Sequence, residues 1–91
     1  MMRPCRVVID DECGLVLTYI YYVDPAELRT ELSRLQKITP NVRRGECVAD
    51  VDEHGSLLGI ELLDMTAETL RQAETLAAEY GAIFPSYLRA V

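Results

Sequence analysis

The stretch ECVADVDEHGSLLGIELL, residues 46–63, decides the fold. Residues 46–51 carry Cys47, Val48, Ala49 and Val51 and read as a strand, and 57–63 (LLGIELL) read as its return. Between them, Asp52-Glu53-His54-Gly55 reads as a turn, because aspartate folds its carboxylate onto nearby N–H groups and glycine accepts positive φ. Gly59 inside the second strand marks a bulge or a close approach by another group. A helix follows. Thr66 is placed to cap it, Met65 and Leu70 to staple its start, and Leu70, Ala73, Leu76, Ala77 and Tyr80 form one apolar stripe. Gly81 suits the position just past its end.

The same order recurs upstream. Residues 5–10 (CRVVID) read as a strand, Asp11-Glu12-Cys13-Gly14 as a turn, and 15–23 (LVLTYIYYV) as a longer strand. Asp24, Pro25 and Glu27 then start a short helix whose Leu28, Leu32 and Leu35 lie on one face, and Thr39-Pro40-Asn41 stops it. At an offset of 41, Val7 aligns with Val48, Asp11-Glu12 with Asp52-Glu53, Gly14 with Gly55 and Ala26-Glu27 with Ala67-Glu68. The expectation is a single α+β domain over 1–91, with ββα pseudo-repeats at 5–38 and 46–81 and an extended tail at 82–91. Its antiparallel four-stranded sheet runs in ββαββα order, with two helices on one face.

The chain has 91 residues and 49% hydrophobic side chains, enough for a thin core that self-association would supplement. The net charge of −6 argues against a free nucleic-acid binder, although Arg29, Arg34, Lys37, Arg43 and Arg44 gather in the segment 29–44. No apolar run approaches the roughly 18–20 residues that span a bilayer. The early apolar stretch is short and runs straight into Asp10, Asp11 and Glu12, so no secretory signal is expected. Cys5, Cys13 and Cys47 lack metal or redox spacing and fit a reducing cytoplasm. The strand 15–23 is apolar on both faces, with Leu15, Leu17, Tyr19, Tyr21 and Val23 on one and Val16, Ile20 and Tyr22 on the other. A second cover is needed, either the tail or another copy, and a homodimer is expected.

Residues 48–64 resemble the domain-of-unknown-function family 2283 (YuzE-like small bacterial proteins), whose pattern is a strand ending in D-x-D, an acidic-glycine turn and G-I-E-[IL]-L. Asp50, Asp52, Gly55, Gly59, Ile60, Glu61 and Leu62 match it. The resemblance implies a small α+β protein without established catalysis, with an antitoxin-like role as an expectation.

Chemistry-bearing patterns are sparse. Asp50, Asp52, His54, Gly55 and Glu61 fall at positions 1, 3, 5, 6 and 12 of a calcium-loop pattern, but strand-like flanks replace the required helices. If the two acidic turns met at one sheet end, Cys13, His54 and four carboxylates would gather in a zinc-like set, the basis of an alternative metal- or small-ligand-binding reading. With one histidine and no paired nucleophile, no enzyme is expected, and no cofactor is implied. The leading expectation is a small acidic protein-interaction module, antitoxin- or immunity-like. In it Asp11, Glu12, Asp52 and Glu53 dock a basic protein partner and Tyr22 serves as an aromatic anchor.

Overall fold

A computed structural model of the chain describes residues 2–12, 15–24, 26 and 41–90. Five strands form one antiparallel sheet: β1 (Arg6–Glu12), β2 (Leu15–Tyr21), β3 (Asn41–Arg44), β4 (Cys47–Val51) and β5 (Leu57–Leu62). Their spatial order is β1-β2-β5-β4-β3. Helix α1 (Ala67–Glu79) and a 3-10 helix (Ser86–Ala90) complete the described chain. The α+β class and the antiparallel pairing hold. The expected four strands with two helices on one face do not: among the described residues there are five strands and one α-helix. The segment read as the first helix, 25–37, falls outside the described residues except for Ala26, whose N–H donates to Asp24 Oδ1 at 2.8 Å as in an N-cap.

The added strand, β3, was hidden because only Val42 among its four residues is apolar. Val42 is half-buried against the core, and Arg44 reaches α1 through an ion pair with Glu79. Gly45, at φ +60, turns the chain directly into β4. A short charged strand at a sheet edge also resists pairing with other chains.

Cross-strand pairs define the two faces. Thr18 pairs with Leu62, Ile20 with Ile60, Ala49 with Ile60 and Cys47 with Leu62. These side chains are fully buried, and all but Thr18 form one hydrophobic cluster with Leu70, Ala73, Leu76 and Ala77 of α1. The Cys47 thiol donates to Thr69 O at 3.3 Å, which fixes the helix to this face. Thr18, also fully buried, donates its hydroxyl to Met65 Sδ at 3.2 Å. Thr66 caps the helix as expected, accepting from Thr69 N. At the other end Ala82 N–H bonds Ala77 O and Gly81 N–H bonds Ala78 O, a Schellman closure that places Gly81 at φ +68.

The tail was expected to be extended, but residues 86–90 form the 3-10 helix. Phe84 and Leu88 join the main core, and Ala82 forms a parallel bridge with Met2. The two hairpins also differ. The β1–β2 connection is two residues, 13–14, because Glu12 pairs with Leu15; the β4–β5 connection is five, 52–56, because Val51 pairs with Leu57. An offset of 41 equates Tyr19 with Ile60, yet Ile60 pairs with Ile20 and Tyr19 with Glu61, so the two lie on opposite faces. The hairpin geometry therefore does not follow the sequence repeat.

Candidate functional site

The sheet face away from α1 carries Leu17, Tyr19 and Tyr21 of β2, Gly59 and Glu61 of β5, and Val48 and Asp50 of β4. Register places Tyr21, Gly59 and Asp50 in one row and Tyr19, Glu61 and Val48 in the next. Among the described residues, no helix packs here. Gly59 is the key to this surface. A Cβ built on it would lie 2.3 Å from the Tyr19 hydroxyl oxygen and 2.4 Å from a ring carbon. Only glycine lets the Tyr19 ring lie diagonally across β5. The ring then reaches the strand beyond, where its hydroxyl donates to Asp50 Oδ2 at 2.7 Å. Tyr21 packs beside it with ring centroids 4.5 Å apart and planes tilted by 55°.

The electrostatics follow from this packing. Burial, and next the bond to the Asp50 carboxylate, push the Tyr19 phenol far above its ordinary range, with the charges of Tyr21 and Glu61 adding to the effect. Tyr19 is therefore a fixed hydrogen-bond donor and has no acid–base role near neutral pH. The result is two aromatic rings held between the carboxylates of Asp50 and Glu61, with Val48 and Leu17 alongside; Leu17 is 38% exposed. Arg6 and Arg43 stand at the two rims, on the edge strands.

The residues expected to dock a partner are dispersed. Asp11 and Glu12 are the last two residues of β1, opposite Val16 and Leu15, and do not sit in the turn. Asp52 and Glu53 lie in the β4–β5 connection. Because β2 and β5 run antiparallel as neighbours, the two connections sit at opposite ends of the sheet, roughly 25 Å apart from the strand rise. Asp52 is turned inward on its own loop, its Oδ1 accepting from His54 N and Ser56 N at 2.8 Å each. His54 Nε2 stands 3.5 Å from Glu53 Oε1, both exposed. Tyr22 is no surface anchor: it is 5% exposed, lies on the core side of β2 and donates its hydroxyl to Ile83 O at 2.9 Å. Burial pushes its phenol up to about 12.

The shared-metal arrangement of the two turns does not form, since its halves lie at opposite sheet ends, and Cys13 lies outside the described residues. The calcium-loop pattern is likewise divided: Asp50 bonds Tyr19, Asp52 caps its own loop, and Glu61 sits on the sheet face. Among the described residues, no three His, Cys, Asp or Glu side chains converge. Sequence reasoning missed the Tyr19–Asp50 pair. Its one local trace is the strand glycine, whose close-approach reading is correct.

Among the described residues, no helix is long and apolar enough to cross a membrane. No protein-family model, no curated protein and no solved structure matches the chain.

Proposed function

We propose that this chain is a protein-interaction module that self-associates and docks a basic protein partner, in the manner of an antitoxin or immunity protein of a reducing cytoplasm. The observation that carries this reading is Tyr19 held over Gly59 and bonded to Asp50, with Tyr21 and Glu61 beside it. Aromatic side chains fixed before binding lose little entropy on contact and are the usual anchors of interfaces. Two carboxylates among them complement a basic surface and speed its approach. The same carboxylates oppose a phosphate backbone, in keeping with the chain's net charge of −6. The resemblance of residues 48–64 to the YuzE-like proteins, which have no established catalysis, accords with this role. On this reading the docking surface is the sheet face and not the four acids Asp11, Glu12, Asp52 and Glu53.

The test is native mass spectrometry of the tagged protein recovered gently from its own cells, alongside the double variant Asp50→Asn, Glu61→Gln. These amides keep the shapes and remove both charges. The expected result is a second polypeptide at fixed stoichiometry, strongly reduced with the variant. Recovery of bare multiples of 10.2 kDa, or of an equal amount of second polypeptide with the variant, overturns the proposal.

A further inference from the structure

β1 is an edge strand seven residues long. It is longer than the four-residue β3 at the other edge, it carries no proline, and its charges, Arg6 and Asp10 to Glu12, flank an apolar centre of Val7, Val8 and Ile9. Ile9, in its middle, is 58% exposed. Such an edge is a template for another strand.

The hydrogen-bond pattern shows which groups it offers. Tyr22 N–H donates to Leu58 O, so the even residues of β2 bond toward β5. The odd residues of β2 then bond toward β1, where Tyr21, Tyr19 and Leu17 face Arg6, Val8 and Asp10. The odd residues of β1 that remain, Val7, Ile9 and Asp11, turn their N–H and C=O groups away from the sheet. Any antiparallel partner strand must therefore meet β1 at its odd residues.

For a second copy of this chain, that rule leaves three central registers about a twofold axis. An axis at Ile9 sets Ile9 against itself and Arg6 against Glu12, but it leaves two valines of each copy facing acids, Val7 against Asp11 and Val8 against Asp10. An axis at Val7 sets Arg6 against Val8 and Cys5 against Ile9. An axis at Val8 sets Arg6 against Asp10 and Val7 against Ile9, cation opposite acid and apolar opposite apolar, each pair occurring twice by symmetry. Ladder bonds then form between Val7 of one copy and Ile9 of the other, about four in all. Cys5 N–H is already donated to Tyr21 O, so it adds no further rung.

We infer that two copies pair β1 to β1 antiparallel about Val8, joining their sheets into one and covering Ile9. The inference rests on the self-association in the proposed function and names its surface, an edge distinct from the Tyr19–Asp50 face.

The experiment is sedimentation velocity across a concentration series on the full chain, with three variants: Arg6→Asp, Asp10→Arg and the two combined. Ile9→Lys is added as a variant at an exposed position, with circular dichroism on each to verify the fold. The expected result is a wild-type dimer, about ten-fold weaker dimerisation in each single charge variant, recovery in the combined variant, and a monomer for Ile9→Lys. A wild-type chain that stays monomeric overturns both this inference and the self-association it rests on. A dimer indifferent to Ile9→Lys, or single charge variants that the combination does not rescue, overturns the β1 pairing alone.

Discussion

Gly59→Ala tests the packing of the sheet face directly. The added methyl would stand 2.3 Å from the Tyr19 hydroxyl oxygen and 2.4 and 2.5 Å from two ring carbons, so the ring must leave β5. Leaving breaks its 2.7 Å bond to Asp50. A hydrogen bond to a carboxylate contributes about 1.5 kcal/mol at a half-exposed site. Displacing a packed ring adds about 1 kcal/mol. Alanine returns about 0.5 kcal/mol by restricting the unfolded chain. The net loss is about 2 kcal/mol, which lowers Tm by about 10 °C in a domain of this size. The assay is urea and thermal unfolding of the wild type, Gly59→Ala, Tyr19→Ala and the double variant. With the ring already gone, Gly59→Ala should be neutral or slightly stabilising, giving a coupling energy of about 2 kcal/mol. A loss below about 0.5 kcal/mol in the Tyr19 background, or an equal loss with and without the ring, would refute the reasoning.

Two further outcomes follow from the buried titratable groups. Burial holds the Tyr22 phenol protonated in the folded chain up to about 12, whereas an unfolded tyrosine ionises near 10, so its contribution is whole below pH 10 and is lost as pH rises toward 12. Tyr22→Phe should lose about 1 kcal/mol at neutral pH with its bond to Ile83 O, and should show a shallower alkaline decline in urea unfolding at pH 7–12. The Cys47 thiol is pushed up to about 11, chiefly by burial, and should resist iodoacetamide until the chain unfolds, whereas exposed Cys5 is alkylated at once; peptide mass mapping separates the two.

What was legible in the sequence was local. The β4–β5 hairpin and α1 announce themselves through Asp52, Gly55, Thr66 and Gly81, each acting within about five residues of itself. β3 is four residues with one valine, too short for a period of two to stand out. Tyr22 was misplaced because strand 15–23 is apolar on both faces, and alternation separates faces without saying which is the core. The Tyr19–Asp50 bond joins residues 31 apart in sequence through a strand that occurs later than either. That order, β1-β2-β5-β4-β3, also sends the Asp11-Glu12 and Asp52-Glu53 pairs to opposite ends. A single sequence carries no direct signal for strand order, so everything that depended on it was lost.

The bridge between Met2 and Ala82 gives the chain the character of a nearly closed ring. Met2 N–H donates to Gly81 O and Ile83 N–H donates to Met2 O, at 3.2 and 2.8 Å. Closing a loop of that length costs about 4 kcal/mol of chain entropy. Two main-chain bonds and the half-buried Met2 side chain oppose that cost only after the sheet and α1 have already brought the ends together. The clasp accordingly adds to a frame that the sheet and α1 already define. A fusion partner joined ahead of Met2 would bear on this joint and not on the sheet face.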